Sequence, residues 1–230
     1  PEEWELEENG ARFGFAPLSG HKTGWYLDHR HNRAALAAYV PDARVLDVFS
    51  YAGAWGVQAA LLGARAVTCL DASGQALEQV RANAERNDVA PRVATLQGDA
   101  FAQLKALGED DARYEVVILD PPAFIKRRKD QDAGVEAYRR LNGLAARLVA
   151  RDGFLITSSC SYRMTADMLG DAAGRAARRA GRWLQILQVG GQGPDHPVHP
   201  HLRETRYLKC LTTRVPGGEA RHTASPAAGD

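Results

Sequence analysis

Residues 44–56 read RVLDVFSYAGAWG, and this segment is the strongest indication of the fold. Its first half has the apolar pattern of a β-strand, and its second half is a glycine-containing turn that opens into a helix. In open α/β sheets ligands bind at such strand ends, because loops and helix N-termini converge there on a crevice. The turn lacks the three closely spaced glycines of a dinucleotide-binding loop. The carboxylate of Asp47 repels phosphate and favours a cationic ligand.

Apolar strand patterns recur along the chain as AVTCLD, VATLQ, EVVILD and GFLITSS, separated by long stretches rich in alanine, leucine and charge. This alternation predicts parallel strands joined by crossover helices, and therefore a three-layer α/β sheet. Two late patterns, WLQILQV and RYLKCLTTRV, have no helix between them, which predicts an antiparallel pair at the sheet edge. Near the N-terminus, Asn9-Gly10 predicts the turn of a short β-hairpin.

The sequence divides into three parts. We expect an N-terminal β-hairpin extension at residues 1–27, the main domain at residues 28–215 and a flexible tail at residues 216–230. The tail is predicted because it is rich in small residues, proline and glycine. The first residue is proline rather than methionine, which indicates a processed chain or a fragment of a longer protein.

The composition is that of a soluble globular protein, with 45% hydrophobic and 25% charged residues. Apolar runs are too short for a membrane-spanning helix, and the acidic N-terminus is unlike a secretory signal. Three widely spaced cysteines suit a reducing compartment, so we expect a cytoplasmic protein. A net charge of +1 does not by itself indicate a nucleic-acid partner, which has to be argued from local patches.

Carboxylates also follow the next two strand patterns. Asp71 ends the second, where it can accept hydrogen bonds from both ribose hydroxyls, and Asp99 follows the third. Each aspartate alone could instead cap a helix. Together with Asp47, however, they suit an adenosine attached to a cationic amino acid, which describes S-adenosylmethionine.

Six motifs carry a family resemblance: DVFSYAG, LDAS, GDAF, LDPPAF, SSCS and the upstream KTGWYLDHRHNR. They resemble class I S-adenosylmethionine-dependent methyltransferases and, more narrowly, the large-subunit ribosomal RNA cytosine-5 methyltransferase family. The resemblance extends from about residue 12 to residue 215. It implies a Rossmann-like sheet of seven strands with an antiparallel last strand. Members of that family also carry an N-terminal RNA-binding PUA domain, so we expect this chain to be the catalytic part.

The resemblance further implies which residues bind the cofactor. In the upstream motif, Arg33 and six others match a segment that closes over the methionine end, where a guanidinium can grip a carboxylate. The six are Lys22, Thr23, Gly24, Tyr26, Asp28 and Arg30. At the strand ends the predicted cofactor-binding residues are Asp47, Phe49, Ser50, Tyr51, Gly53, Asp71, Ala72, Ser73, Asp99, Ala100, Asp120 and Pro121.

Cys160 is the predicted nucleophile. C5 of a pyrimidine is a poor nucleophile, and it becomes enamine-like when a thiolate adds to C6. Such an enzyme requires a cysteine at a strand end that faces the cofactor, and Cys160 stands at such a position. Its Ser-Ser-Cys-Ser setting favours this role over that of a small core residue. Cys69 and Cys210 lie inside apolar strand patterns and are predicted to be structural.

Asp120-Pro121-Pro122 ends the fourth strand pattern, and its prolines predict a rigid turn against which a flat base can lie. Asp120 is predicted to bind the N3/N4 edge of cytosine, and sharing a proton with N3 would favour attack at C6. Phe124 either stacks on the base or belongs to the core. The group that removes the C5 proton stays open between water, Asp120 and a late histidine. Ala123 stands where many RNA cytosine-5 methyltransferases outside this family have a second cysteine.

RNA contact is predicted just after this turn, because the run is strongly basic and lies beside the expected base pocket. The predicted RNA-binding residues are Pro122, Phe124, Lys126, Arg127, Arg128 and Lys129. A late loop contains three histidines, but the prolines between them restrict their convergence, so we predict no metal site. These histidines are His196, His199 and His201.

We therefore predict transfer of a methyl group from S-adenosylmethionine to C5 of cytosine in RNA, with S-adenosylhomocysteine as the product. The resemblance implies 23S-type large-subunit rRNA as the substrate, and a homodimer is a further expectation. Two alternatives stay open. One is a guanine or uridine rRNA methyltransferase on the same fold, and the other is a non-catalytic cofactor- or RNA-binding module.

Overall fold

The computed structural model describes residues 4–15 and 24–217. A two-stranded hairpin comes first, formed by β1 (Trp4–Glu8) and β2 (Ala11–Phe15). Its turn residues Asn9 and Gly10 have φ values of 52° and 80°, which confirms the predicted hairpin turn. Phe13 is fully buried and packs on Trp25 with ring centroids 4.5 Å apart. The hairpin therefore belongs to the core of the main sheet.

The main sheet has seven strands: β3 (Arg44–Val48), β4 (Ala66–Asp71), β5 (Val93–Gln97), β6 (Tyr114–Leu119), β7 (Val149–Ser159), β8 (Gln185–Gly190) and β9 (Lys209–Val215). Their order across the sheet is β5-β4-β3-β6-β7-β9-β8. Strands β3 to β7 pair in parallel, and β9 runs antiparallel to both β7 and β8. This confirms the predicted Rossmann-like sheet with an antiparallel last strand.

Six α-helices accompany the strands: α1 (Arg30–Ala34), α2 (Ala54–Leu61), α3 (Gly74–Arg86), α4 (Ala100–Glu109), α5 (Gln131–Leu148) and α6 (Ala166–Arg179). Oxygen atoms of Ser73, Asp99 and Thr165 cap α3, α4 and α6 by accepting a backbone N–H. The apolar core lies on both faces of the sheet. Val45 packs in one cluster and Leu46 in the other, because successive strand residues point to opposite faces.

Some predictions fall outside the described residues. They concern Lys22, Thr23 and all but the first two residues of the predicted tail. In the described parts of the chain, none of the helices combines the length and apolarity needed to cross a bilayer.

Candidate active site

The carboxyl ends of the parallel strands lie along one edge of the sheet, and most predicted site residues gather there. The turn after β3 contains three residues with positive φ: Phe49 (64°), Tyr51 (47°) and Gly53 (84°). Positive φ is uncommon for residues other than glycine, so the surroundings must hold this turn. They do so through the Leu70 carbonyl, which accepts hydrogen bonds from the backbone nitrogens of Phe49 (2.9 Å) and Ser50 (3.1 Å).

Asp47 lies below this turn and is completely buried. Its Oδ2 accepts a hydrogen bond from the Gly56 nitrogen at 2.9 Å, whereas Oδ1 has no hydrogen-bond partner within the described residues. Burial raises the pKa of Asp47 to about 8. A Cβ at Gly56 would lie 2.4 Å from Cys69 Sγ and 3.1 Å from Asp47 Oδ2, so this close approach requires glycine.

Asp71 secures the same turn from the neighbouring strand. Its Oδ2 accepts from the Tyr51 nitrogen and its Oδ1 from the Ser73 nitrogen, both at 2.9 Å. Each carboxylate oxygen has two lone pairs, so both retain capacity for ribose hydroxyls. Asp99 is exposed, and its Oδ1 accepts from the Ala102 nitrogen at 3.0 Å as the cap of α4. Of the three aspartates, Asp99 is therefore the one whose contacts match a helix cap.

The upstream segment reaches this edge through Tyr26 and its neighbours. The Tyr51 hydroxyl donates to the Gly24 carbonyl at 3.3 Å, and the rings of Tyr26 and Tyr51 lie 5.7 Å apart. Asp28 Oδ2 accepts from the Tyr207 hydroxyl at 2.9 Å. The predicted cofactor segment thus contacts the turn after β3 on one side and the approach to β9 on the other.

Arg33 does not serve a ligand, so its expected role at the methionine end is wrong. Its side chain is buried, and its Nε and Nη2 donate to the two carboxylate oxygens of Glu8 at 2.6 and 2.8 Å. Nη2 also donates to the Tyr26 carbonyl at 2.7 Å. The guanidinium is therefore occupied by a carboxylate from the N-terminal hairpin. Arg30 is more exposed, and its guanidinium lies 3.5 Å from Asp195.

Asp120 directly follows β6 and is surrounded by donors. Its Oδ1 accepts from Ser158 Oγ at 2.7 Å and lies 3.2 Å from His29 Nε2, while Oδ2 accepts from Trp55 Nε1 at 3.0 Å. Burial acts to raise the pKa of Asp120, but these donors hold it well below its usual range. The side chain is 25% exposed, so part of it remains accessible to a ligand.

The tautomer of His29 follows from its other contact. Asn32 Nδ2 lies 3.1 Å from His29 Nδ1 and donates to the Gly191 carbonyl at 3.0 Å, which identifies Nδ2 as the amide nitrogen. His29 Nδ1 is therefore an acceptor, and the ring proton of the neutral form sits on Nε2 facing Asp120. Neither His29 nor Trp55 was predicted as a site residue, although His29 lies within the upstream motif and Trp55 two residues after DVFSYAG.

Cys160 emerges at the same edge. It directly follows β7, whose pairing with β6 places Thr157 opposite Leu119. Cys160 is half-buried, whereas Cys69 and Cys210 are 0% and 3% exposed, as expected for structural cysteines. Tyr26 is near this thiol and near other groups of the site, as its pKa shows. Burial raises the pKa of Tyr26, as do four neighbouring groups: Tyr51, Cys160, Asp120 and Asp28.

The segment after Asp120 divides into a packed and an exposed part. Phe124 packs against Tyr138 and Phe101, with ring centroids 4.8 and 6.2 Å away, which favours the core alternative for this residue. Pro121 is buried and Pro122 is exposed. The basic run that follows is exposed throughout, and it consists of Lys126, Arg127, Arg128 and Lys129.

The late histidines are spread over the surface. His199 Nδ1 accepts from the His201 nitrogen at 3.2 Å, and His196 Nδ1 lies 3.4 Å from Asp195. Within residues 4–15 and 24–217, no group of three or more His, Cys, Asp or Glu side chains is placed to hold a metal ion.

A seven-stranded sheet with an antiparallel final strand and acidic ends on β3 and β4 defines a methyltransferase of the Rossmann-like class. Comparison with known proteins identifies the family. The model of the S-adenosylmethionine-dependent methyltransferases matches residues 1–201, and the chain belongs to this family. Its cofactor is accordingly S-adenosylmethionine.

Individual relatives agree with this assignment. Ribosomal RNA large subunit methyltransferase I of Pseudoalteromonas atlantica is 38% identical over 216 residues, which cover 94% of this chain and 55% of that protein. The same-named protein of Salmonella heidelberg is 37% identical over 211 residues, covering 91% and 52%. A solved methyltransferase structure complexed with SAH is 25% identical, with a TM-score of 0.83 and coverage of 94% and 56%. The chain spans about half the length of these relatives.

The described residues fit this cofactor. Asp47 Oδ1 and Ser50 Oγ are buried polar atoms without a hydrogen-bond partner within the described residues. Both belong to the strand end and turn where the sequence predicts a cationic amino acid, and unpartnered buried polar atoms are costly. A ligand that reaches Ser50 removes part of that cost, which fits a cofactor with polar groups at this turn, whereas Asp47 supports the turn from below.

Proposed function

We propose that this chain transfers a methyl group from S-adenosylmethionine to C5 of a cytosine in large-subunit rRNA. The observation that carries the proposal is that the half-buried thiol of Cys160 and the ionised carboxylate of Asp120 follow the adjacent strands β7 and β6 at the cofactor edge of the sheet, where both raise the pKa of Tyr26. The rRNA substrate is supported by the relatives, which are named ribosomal RNA large subunit methyltransferase I. Homodimer formation stays a prediction.

The cofactor would be held by three groups of residues. Asp71 accepts the ribose hydroxyls, and Ala72, Ser73, Asp99 and Ala100 border the adenosine. Asp47, Phe49, Ser50, Tyr51 and Gly53 surround the amino-acid part. Gly24, Tyr26, Asp28 and Arg30 would close over the methionine end, while Asp120 and Pro121 would border the reacting methyl group. Lys22 and Thr23 stay predicted cofactor residues outside the described part of the chain. When bound, S-adenosylmethionine supplies an electrophilic methyl group on a cationic sulfur.

Cys160 acts as the nucleophile. Its thiolate forms a bond to C6 of the cytosine, and the C5–C6 π electrons move to C5, which becomes nucleophilic enough to accept the methyl group. Loss of the C5 proton to a base then returns an electron pair to the ring. The C6–sulfur bond breaks, and the thiolate of Cys160 is regenerated. Thus C5 exchanges one proton for one methyl group, and the enzyme is unchanged.

Asp120 orients the base. With His29, Ser158 and Trp55 as donors it stays ionised at neutral pH, so it acts as an acceptor. Cytosine presents the N4 amino group as a donor, whereas uracil presents the acceptor O4 at the same position. The low pKa favours acceptance from N4 over sharing a proton with N3. An ionised carboxylate can equally accept from the N3–H of uracil, so the uridine alternative stays open.

The exposed basic run would contact RNA phosphates beside this pocket. Pro122, Lys126, Arg127, Arg128 and Lys129 are all exposed, whereas Phe124 packs on Tyr138. RNA binding by this run is local, which agrees with a chain whose net charge is only +1.

The test is product identity. The chain is incubated with isotope-labelled S-adenosylmethionine and unmodified large-subunit rRNA, and the digested nucleosides are analysed by mass spectrometry. We expect label in 5-methylcytidine, and none when Cys160→Ser replaces the wild type. Label in a methylated guanosine that persists in Cys160→Ser contradicts the proposal and supports the guanine alternative. Tight cofactor binding without turnover on rRNA or other RNA supports the non-catalytic module.

A further inference from the structure

Lys209 is a buried lysine that takes no part in the reaction steps proposed above. It is the first residue of β9 and is only 7% exposed. Lysine is almost never buried to this extent without a paired carboxylate. Within residues 4–15 and 24–217, however, no carboxylate lies within ion-pair distance of its ammonium. Its position therefore requires an explanation other than a structural ion pair.

The contacts of Lys209 place its ammonium beside Cys160. In the antiparallel pairing of β7 and β9, Lys209 stands opposite Ser159, the residue before Cys160. Its Nζ donates to the carbonyl of Ser161, the residue after Cys160, and to the carbonyl of Tyr207 at 2.8 Å. The ammonium is thus held against the carbonyl that follows the nucleophile, and neither of its two carbonyl acceptors neutralises its charge.

The titratable groups that face Cys160 come from three other parts of the fold. They are Tyr26 before α1, Tyr138 on α5, and Tyr207 with Lys209 at the start of β9. The pKa values of all three tyrosines are raised, chiefly by burial, so these side chains are uncharged at neutral pH. Lys209 is the cation in this set. Burial lowers its pKa to about 8, and Cys160 opposes that decrease.

We propose that Lys209 is a positioning residue whose ammonium stabilises the thiolate of Cys160 and fixes the Cys160 segment at the mouth of the crevice. A cation beside a thiol favours the ionised, nucleophilic form. A site that adds sulfur to C6 of a pyrimidine requires that form. This inference rests on the proposed function only in taking Cys160 as the nucleophile, and its test needs no RNA.

The test measures the rate at which iodoacetamide alkylates Cys160 as a function of pH, with peptide mapping by mass spectrometry. We compare the wild type with Lys209→Gln, which removes the charge but keeps donors for the two carbonyls. The midpoint of the wild-type curve is expected below the ordinary thiol value of about 8.5. In Lys209→Gln it is expected to rise by about one pH unit, which makes alkylation near pH 7 about tenfold slower.

Three further proteins make the result specific. Lys209→Arg keeps the positive charge and should retain the wild-type midpoint, which a purely structural role would not predict. Lys105→Gln removes an exposed lysine elsewhere and should also leave the midpoint unchanged. The buried Cys69 and Cys210 report unfolding, because they become reactive only when the chain opens. If Cys69 or Cys210 becomes reactive in Lys209→Gln, the wild type is compared with Lys209→Met instead.

Identical pH curves for wild type and folded Lys209→Gln overturn the inference, and so does a wild-type midpoint at or above about 8.5. The outcome is separable from that of the proposed function. A shifted midpoint without formation of 5-methylcytidine leaves Lys209 in its role and rejects the reaction. Formation of 5-methylcytidine with an unchanged midpoint supports the reaction and rejects the role of Lys209.

Discussion

Asp47 and Asp120 mark the ends of neighbouring parallel strands, yet their environments favour opposite charge states. Asp47 has one backbone donor and no solvent contact, and burial raises its pKa to about 8. Asp120 is near three side-chain donors, which hold its pKa well below the usual range despite burial. The position of a carboxylate at a strand end therefore does not fix its chemistry. The donors that the rest of the chain brings to it decide the charge.

The same contrast separates the two halves of the site. The cofactor half is formed by β3 and β4 and the turns that follow them. Its main contacts, such as that of Asp71 with the Tyr51 nitrogen, use backbone groups of adjacent segments. The acceptor half depends on side chains that meet only after folding, including His29, Trp55 and Lys209. Substitutions can test whether the two halves are independent.

Asp120→Asn should give the largest effect. In the variant an amide NH2 group replaces one carboxylate oxygen and faces a donor from His29, Ser158 or Trp55. The acceptor for the cytosine amino group is therefore lost. We expect kcat/KM for RNA methylation to fall on the order of 10²- to 10³-fold, with little change in the Kd for S-adenosylmethionine. Trp55→Phe, which removes one donor and leaves the carboxylate, should cost about tenfold. Equal activity of Asp120→Asn and wild type contradicts the proposed role.

Asp47→Asn should remove a pH dependence of stability. The folded-state pKa of about 8 lies above the ordinary value of 3.8, so between these values the native state retains a proton that the unfolded state loses. Stability of the wild type relative to Asp47→Asn therefore falls as pH rises through this window, by up to about 1.4 kcal/mol per pH unit. Urea unfolding of both proteins at several pH values between 5 and 8 measures this change. Parallel curves would show that Asp47 is ionised in the folded chain.

Asp71→Asn should weaken cofactor binding with less effect on stability. One charged acceptor for the backbone N–H groups of the turn and for the ribose is lost, so we expect the Kd of S-adenosylmethionine to rise about tenfold. Isothermal titration calorimetry measures this value directly. Asp110→Asn is the matched control, because Asp110 is exposed and lies at the C-terminal end of α4, outside the proposed cofactor residues. If both variants weaken binding equally, Asp71 has no special place in the cofactor half.

The basic run should give the smallest effect. Within the described residues, Arg128 and Lys129 have no ion-pair partner, whereas Arg127 lies 3.0 Å from Asp130. Arg128→Ala is expected to weaken RNA binding slightly and to reduce the slope of log K against log salt concentration by about 0.7 for one lost phosphate contact to a single strand. Arg127→Ala should change the slope less. Fluorescence anisotropy at four salt concentrations distinguishes the two, and equal slopes for all three proteins exclude this run as an RNA contact.

The fold could be predicted from sequence because its signals are local. The alternation of apolar strand patterns with helical stretches determines the parallel sheet, and Asn9-Gly10 determines the hairpin turn. The carboxylates at strand ends could be found for the same reason. Arg33 could not be interpreted correctly, because its partner Glu8 lies in a hairpin whose docking is set by tertiary packing.

The acceptor half shows where sequence reasoning ends. Asp120 and Cys160 stand in motifs, so their positions were predictable, but the charge of Asp120 depends on His29 and Trp55 from separate elements. Lys209 gave no sequence signal, because a lysine at the start of an apolar strand ordinarily reaches solvent. Only the pairing of β9 with β7 shows that it stands beside Cys160.

Covalent catalysis by Cys160 can be tested by trapping the protein–RNA intermediate. The chain is incubated with S-adenosylmethionine and rRNA that contains 5-fluorocytosine, in which C5 cannot lose its substituent as a proton. We expect a stable protein–RNA adduct whose peptide map places the linkage on Cys160, and no adduct with Cys160→Ala. Efficient methylation of unmodified cytosine without any adduct on the fluorinated RNA would contradict covalent catalysis by this thiol.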